Sequence, residues 1–278
     1  MANYHSDIWI MNGVKRHYDE AVRLYGADRI VCVVGQGSIN YGLDYEGSDI
    51  DTKCILVPSL EDIVMNRKPV STTHVLDNDE HLDAKDIRLY FQTFRKQNMN
   101  FIEILFSKYK IINPFFADLW QVLVDANEEI ARYDPYRAIK AMSGIGQEKY
   151  HALEHRYPSK VELIDKYGAD PKQLHHLVRV RWFLQDYLAG KPYAECLRPD
   201  EIGAEFLKSL KTIPPVLSLD EMREIANEEI DIIKSTVDRY TAEDFKVSKA
   251  VDFLLDTIQR EIMIRAIKQE IKGSEKNV

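Results

Sequence analysis

Asp49-Ile50-Asp51 places two carboxylates at i and i+2, just ahead of the apolar run Cys54-Ile55-Leu56-Val57. Residues two apart on an extended strand point to the same face, so Asp49 and Asp51 would project side by side. Two like charges held next to a core are costly unless a cation neutralises them. Upstream lies Gly35-Gln36-Gly37-Ser38, a glycine-serine turn ending the apolar run Ile30–Val34. Backbone amides around Gly37 and Ser38 can approach an anion closely because glycine has no Cβ, and the Ser38 hydroxyl adds a donor. A phosphate-holding turn followed by paired carboxylates suits a divalent cation and a nucleoside triphosphate. Mg²⁺, or Mn²⁺ in its place, binds carboxylates together with phosphate oxygens. Two such ions can activate an attacking oxygen and stabilise a leaving pyrophosphate.

A third carboxylate from a neighbouring strand would complete such a site. Asp83 is the first choice, because it lies between Leu82 and Ala84 in a strand-like stretch and so faces away from both. Asp86 is the second choice but falls where the next helix should begin, and Asp79 and Glu80 read as turn residues.

These residues need elements to position them. Helical spacing over Asn12 to Gly26 is followed by strands over Ile30–Val34 and Ser48–Val57. Ser59 with Asp62 looks like a capping box. Val70–Leu76 and His81–Lys85 read as a hairpin around the acidic turn Asp77–Glu80. Helices are expected over Asp86–Gln97, Asn100–Phe106 and Phe115–Asp125. From about Tyr133 the strand patterns stop. Helical periodicity then covers Pro135–Glu154, Pro171–Ala189, Pro199–Thr212, Leu219–Tyr240 and Ser248–Lys272, with Ser218 and Glu221 as a second capping box. Gly273–Val278 reads as a frayed end. The expected architecture is α+β, with a small mixed sheet and flanking helices in residues 1–130 followed by an all-helical part in 131–278.

Composition sets limits on function. The chain has 278 residues and a formal net charge of −8, so it lacks the basic footprint of a dedicated nucleic-acid binder. Cys32, Cys54 and Cys196 have no metal-ligand spacing and read as small buried hydrophobes of a reducing, cytoplasmic protein. The first residues carry no signal-peptide pattern, and no apolar run approaches the roughly 20 residues of a membrane span, so no membrane partner is expected. His151 and His155 sit one helical turn apart but lack a third zinc ligand.

The combination Gly37-Ser38, Tyr41-Gly42-Leu43 and Ser48-Asp49-Ile50-Asp51 resembles the signature of the DNA polymerase β-type nucleotidyltransferase superfamily. Within it the chain resembles the predicted nucleotidyltransferases named for an RNA repair pathway, the RlaP-like family. Two softer stretches extend the resemblance over roughly residues 30 to 200: Asp86-Ile87-Arg88 with Asn100–Phe106, and Asp170-Pro171-Lys172 with His176 and Arg179. The resemblance implies a palm-like catalytic domain that moves a nucleoside monophosphate from an NTP to a hydroxyl and releases pyrophosphate. Asp49, Asp51 and Asp83 would then hold metal, and Gly37 and Ser38 the β and γ phosphates. The family name implies an RNA acceptor, such as a damaged tRNA end.

Lys172, His176 and Arg179 fall at i, i+4 and i+7 and share one helical face. Arg suits bidentate phosphate contact and Lys acts as a point charge, so this face is expected to hold triphosphate oxygens. Lys149 and Tyr150 are weaker candidates for phosphate and base contacts, and His175 and Arg181 are expected to be structural. Two rival readings share these features: a catalytically silent NTP sensor, and a toxin-antitoxin type enzyme that nucleotidylates a protein.

Overall fold

The computed structural model describes residues 3–76 and 79–275. Asp77 and Asn78 of the acidic turn lie outside the described residues, as do Met1, Ala2 and residues 276–278. The chain divides into two compact units. One comprises Asn3–Asn40, Asp44–Tyr133 and the described residues from 247 onward, and the other is Asp134–Lys246 together with Tyr41–Leu43. No helix is long and apolar enough to cross a membrane among the described residues.

The first unit is built on a mixed five-stranded sheet. It opens with α1 (Asp7–Tyr25), capped by the Ser6 hydroxyl on Trp9 N–H. Next come β1 (Ile30–Gln36), the single turn α2 (Ser38–Tyr41) and β2 (Asp51–Leu56). The short α3 (Leu60–Val64) does carry the Ser59–Asp62 capping box. Then follow β3 (Ser71–Val75), β4 (His81–Asp86), α4 (Ile87–Arg95), α5 (Met99–Ile102), β5 (Lys110–Ile112), α6 (Ala117–Asp125) and α7 (Asn127–Ala131). The sheet order is β3-β4-β2-β1-β5, with β2 and β4 parallel and the other neighbours antiparallel.

Alternation divides the sheet into two chemical faces. Cys54, Leu56, Leu82, Ala84 and Val33 look toward α1, whose Ile10, Val14 and Ala21 join them in one buried cluster, and Thr52 on the same face meets His17 of α1. The other face carries Asp51, Lys53, His81 and Asp83. Helix α4 also packs against β2 and β4, and buries Tyr90, Phe91 and Phe94. Gly13 allows α1 its close approach: a Cβ there would lie 2.5 Å from Ile50 Cδ1. Ile50 is itself fully buried and anchors the stretch between Asp49 and Asp51.

The second unit contains α8 (Pro135–Ala152), α9 (Val161–Tyr167), α10 (Pro171–Leu188), α11 (Tyr193–Leu197), α12 (Glu201–Leu210) and α13 (Leu219–Val237). Helix α10 is its centre and packs against α8, α11, α12 and α13. Its start is fixed by Pro171 in the first turn and by Asp170, whose carboxylate accepts from Lys172 N–H at 3.0 Å. Ser218 and Glu221 form the expected capping box on α13.

The last helix, α14 (Lys249–Glu275), groups with the sheet-bearing unit, where it packs on α4 and α6. Arg95 holds it through Asp252 at 2.7 Å, and Arg265 reaches Asp118 at 2.6 Å. Helical periodicity alone groups this segment with the helices before it, whereas its contacts place it with the sheet.

His175 shows how dry the centre of the helical unit is. It is 3% exposed, and its Nδ1 donates to Leu207 O at 2.6 Å. Its pKa is pushed down to about 3, chiefly by burial, with the nearby Lys211, Arg179 and Lys172 adding to the shift and the bond to Leu207 opposing it. The unfolded chain takes up a proton below about pH 6.5 that the folded chain refuses. This contribution is therefore present above pH 6.5 and lost as the pH falls toward 3. Urea unfolding should show the wild type losing about 2 kcal/mol more stability between pH 7 and pH 5 than His175→Asn does.

Candidate functional site

At the end of β1 the chain reverses through Gly37, whose φ of +78° lies in the region that favours glycine. Its amide donates to the Glu103 carboxylate, at 3.3 Å to Oε1 and 3.4 Å to Oε2. The turn thus already holds an anionic oxygen, supplied by a side chain that is 2% exposed. Asn40 braces it: its amide donates to Gly35 O at 2.9 Å and its oxygen accepts from Ser107 Oγ at 2.7 Å. The Ser38 hydroxyl makes no hydrogen bond among the described residues.

Gln36 is the register partner of Asp51 across β1 and β2, which brings the turn beside the carboxylates. Asp49 lies in the loop before β2 and is exposed, whereas Asp51 opens the strand. The parallel pairing Thr52↔Leu82 and Lys53↔Asp83 sets His81 next to Asp51. The Asp51 Oδ1 accepts from the His81 backbone amide at 3.0 Å and meets its Nδ1 at 3.1 Å. One ligand atom each from Asp49, Asp51 and His81 lies within 4.8 Å of the other two.

Asp83 shares the sheet face but not this group. Lys53 Nζ holds its carboxylate at 2.7 Å, with side-chain exposures of 7% for Lys53 and 16% for Asp83. The same ammonium sits 4.2 Å over the Phe101 ring. Asp86 caps α4 by accepting from Arg88 N–H at 2.8 Å. Glu80, read from sequence as a turn residue, is 2% exposed and does structural work. It accepts from Arg16 at 3.0 Å and meets His17 Nε2 at 3.0 Å, while His17 Nδ1 meets Thr52 Oγ1 at 2.8 Å.

In the helical unit, Lys172, His176 and Arg179 do lie along α10. Lys172 is exposed, and Arg179 is 8% exposed with its guanidinium 4.2 Å over the Tyr41 ring. Arg179 Nε and Nη1 have no hydrogen-bond partner among the described residues. A buried guanidinium left this way is costly unless an acceptor arrives. Burial holds the His176 imidazole well below its usual pKa, helped by His175, Arg179, Lys149 and Lys172, so it is a neutral hydrogen-bonding group and not a third cation. Tyr150 donates to Asn227 at 2.7 Å and Lys149 pairs with Glu148 at 2.7 Å. Arg181 binds Glu229 and Gln185.

Sequence reasoning missed His81, Glu103 and Lys53. His81 was in reach, since it stands two residues before Asp83 and shares its side of the strand. Lys53 likewise stands two residues after Asp51. Glu103 carries no local signal, because only the folded chain brings it to Gly37. The chain matches no protein-family model and no curated protein.

The Lys53–Asp83 pair makes a direct prediction. Lys53→Met should cost about 2 kcal/mol in urea unfolding, less than for a fully buried ion because Asp83 keeps some solvent. Adding Asp83→Leu should recover most of that loss.

Proposed function

We propose that the protein is a metal-dependent nucleotidyltransferase of the DNA polymerase β type. It would transfer a nucleoside monophosphate from an NTP to a hydroxyl and release pyrophosphate. The observation that carries this reading is the convergence of Asp49 and Asp51 with a third donor, next to the end of β1 where the Gly37-Ser38 turn begins. The donor set fits a divalent cation, with two carboxylates and an imidazole within bridging distance.

Asp49 and Asp51 would hold the cation, Mg²⁺ or Mn²⁺. A cation bound there neutralises phosphate charge and makes the acceptor hydroxyl easier to deprotonate. Gly37 N–H and the Ser38 hydroxyl would donate to phosphate oxygens, with Glu103 giving up the Gly37 amide. The acceptor oxygen bonds to the α phosphorus as the bond from that phosphorus to the β-bridging oxygen breaks. Pyrophosphate departs with the electron pair, and the hydroxyl proton passes to a site carboxylate. Asp83 would support this electrostatically from its pairing with Lys53.

On the helical unit, Arg179 with Lys172 and the neutral His176 form a face for a phosphate-bearing ligand. The support is the pair of partnerless nitrogens on a buried guanidinium.

An RNA end is the acceptor the motif resemblance suggests. The net charge of −8 favours a protein side chain instead, since RNA binders draw much of their affinity from basic surfaces.

Asp49→Asn and Asp51→Asn should each lower pyrophosphate release from NTP by at least about 100-fold, with thermal unfolding within a few degrees of wild type. Turnover retained in both variants would refute the reading.

A further inference from the structure

We propose that the third metal donor is His81 and not Asp83, and that the site therefore selects a first-row divalent cation such as Mn²⁺ over Mg²⁺. The assignment deepens the nucleotidyltransferase reading and rests on it for the presence of a metal.

The first argument is position. Ligand atoms of Asp49, Asp51 and His81 lie within 4.8 Å of one another, and Asp83 is not among them. Asp83 pairs in register with Lys53, one pleat further along the sheet, whereas His81 stands level with Asp51.

The second argument is charge. Lys53 sits 2.7 Å from the Asp83 carboxylate and is nearly buried. A cation taking Asp83 as a ligand would have to displace that ammonium or tolerate its repulsion. Lys53 is also seated on Phe101, which holds it in place.

The third argument is the orientation of the imidazole. The ring turns Nδ1 toward Asp51, 3.1 Å from its Oδ1, which is the spacing of two donor atoms that share one cation, so Nδ1 is the nitrogen that would ligate. Asp51 Oδ2 has no hydrogen-bond partner among the described residues. The His81 backbone amide, donating to the same Asp51 oxygen at 3.0 Å, fixes the two residues relative to each other.

The ion preference follows from the donor atoms. Mg²⁺ favours oxygen ligands in near-ideal octahedra, while imidazole nitrogen suits the first-row transition ions. Two carboxylates and one imidazole form a mixed oxygen and nitrogen set.

The test is Mn²⁺ binding to the full-length wild-type protein, read by pulsed electron paramagnetic resonance. The expected spectrum shows nitrogen hyperfine coupling from one directly bound imidazole. In titrations, His81→Gln and Asp51→Asn should each weaken Mn²⁺ binding about 10-fold or more, while Asp83→Asn stays within about threefold of wild type. Mg²⁺ should compete poorly against the wild type and several-fold better against His81→Gln. Bound Mn²⁺ without nitrogen coupling, or Asp83→Asn weakening binding as much as Asp51→Asn, would overturn the proposal, and the wild-type spectrum requires no variant to fold. Nitrogen-coupled Mn²⁺ in a protein that transfers no nucleotide would uphold this site and overturn the transferase reading. Nucleotide transfer without nitrogen coupling would do the reverse.

Discussion

The structure depends on the parallel pairing of β2 with β4. That register sets His81 level with Asp51 and Asp83 level with Lys53, and it decides which side chains face the core. A slip of one residue would bury the carboxylates against α1 and expose Leu82 and Ala84. The register is held from beneath by a buried polar chain, in which His17 bridges Thr52 at the start of β2 and Glu80 just before β4. Parallel pairs have no tight hairpin to align them, so a side-chain clamp from α1 supplies the alignment. Gly13 lets α1 come close enough to seat Ile50 between the two site aspartates.

The charges on the open face are arranged in opposed pairs. Asp83 is matched by Lys53, and Gly37 N–H is matched by Glu103, while Asp51 leans on a histidine. A face with this many carboxylates around a sheet would repel itself without such partners. On the helical unit the imbalance has the opposite sign: Arg179 is buried on Tyr41 with two nitrogens unmatched among the described residues, beside imidazoles that burial keeps neutral.

Much of this was legible in the sequence because its signals are local. The capping boxes at Ser59 and Ser218, the glycine turn and the alternation placing Asp83 beside Leu82 and Ala84 all act over a few residues. The sheet of the α+β architecture followed from the strands over β1–β4. The three-residue β5 was not legible, since Lys110–Ile112 is too short to show a period and is defined by its pairing with β1. Ser48–Ile50 look like strand because they precede an apolar run, but they lack ladder partners and belong to the loop before β2. The grouping of α14 with the sheet depends on Arg95 and Arg265 contacts that no local pattern encodes. Asp83 faced the expected way, yet its pairing with Lys53 needed the neighbouring strand. The burial that neutralises His176 is likewise a property of the assembled helices.

The most direct test follows the phosphates of one NTP. Parallel incubations with NTP labelled at the α or the γ phosphate, in Mn²⁺ with total RNA and soluble cell protein, report which bond breaks and where the label goes. Nucleotidyl transfer predicts α label on a macromolecule and γ label released as pyrophosphate, in equal amounts. The γ label appearing on the acceptor, or tight binding of both labels without release, would contradict it.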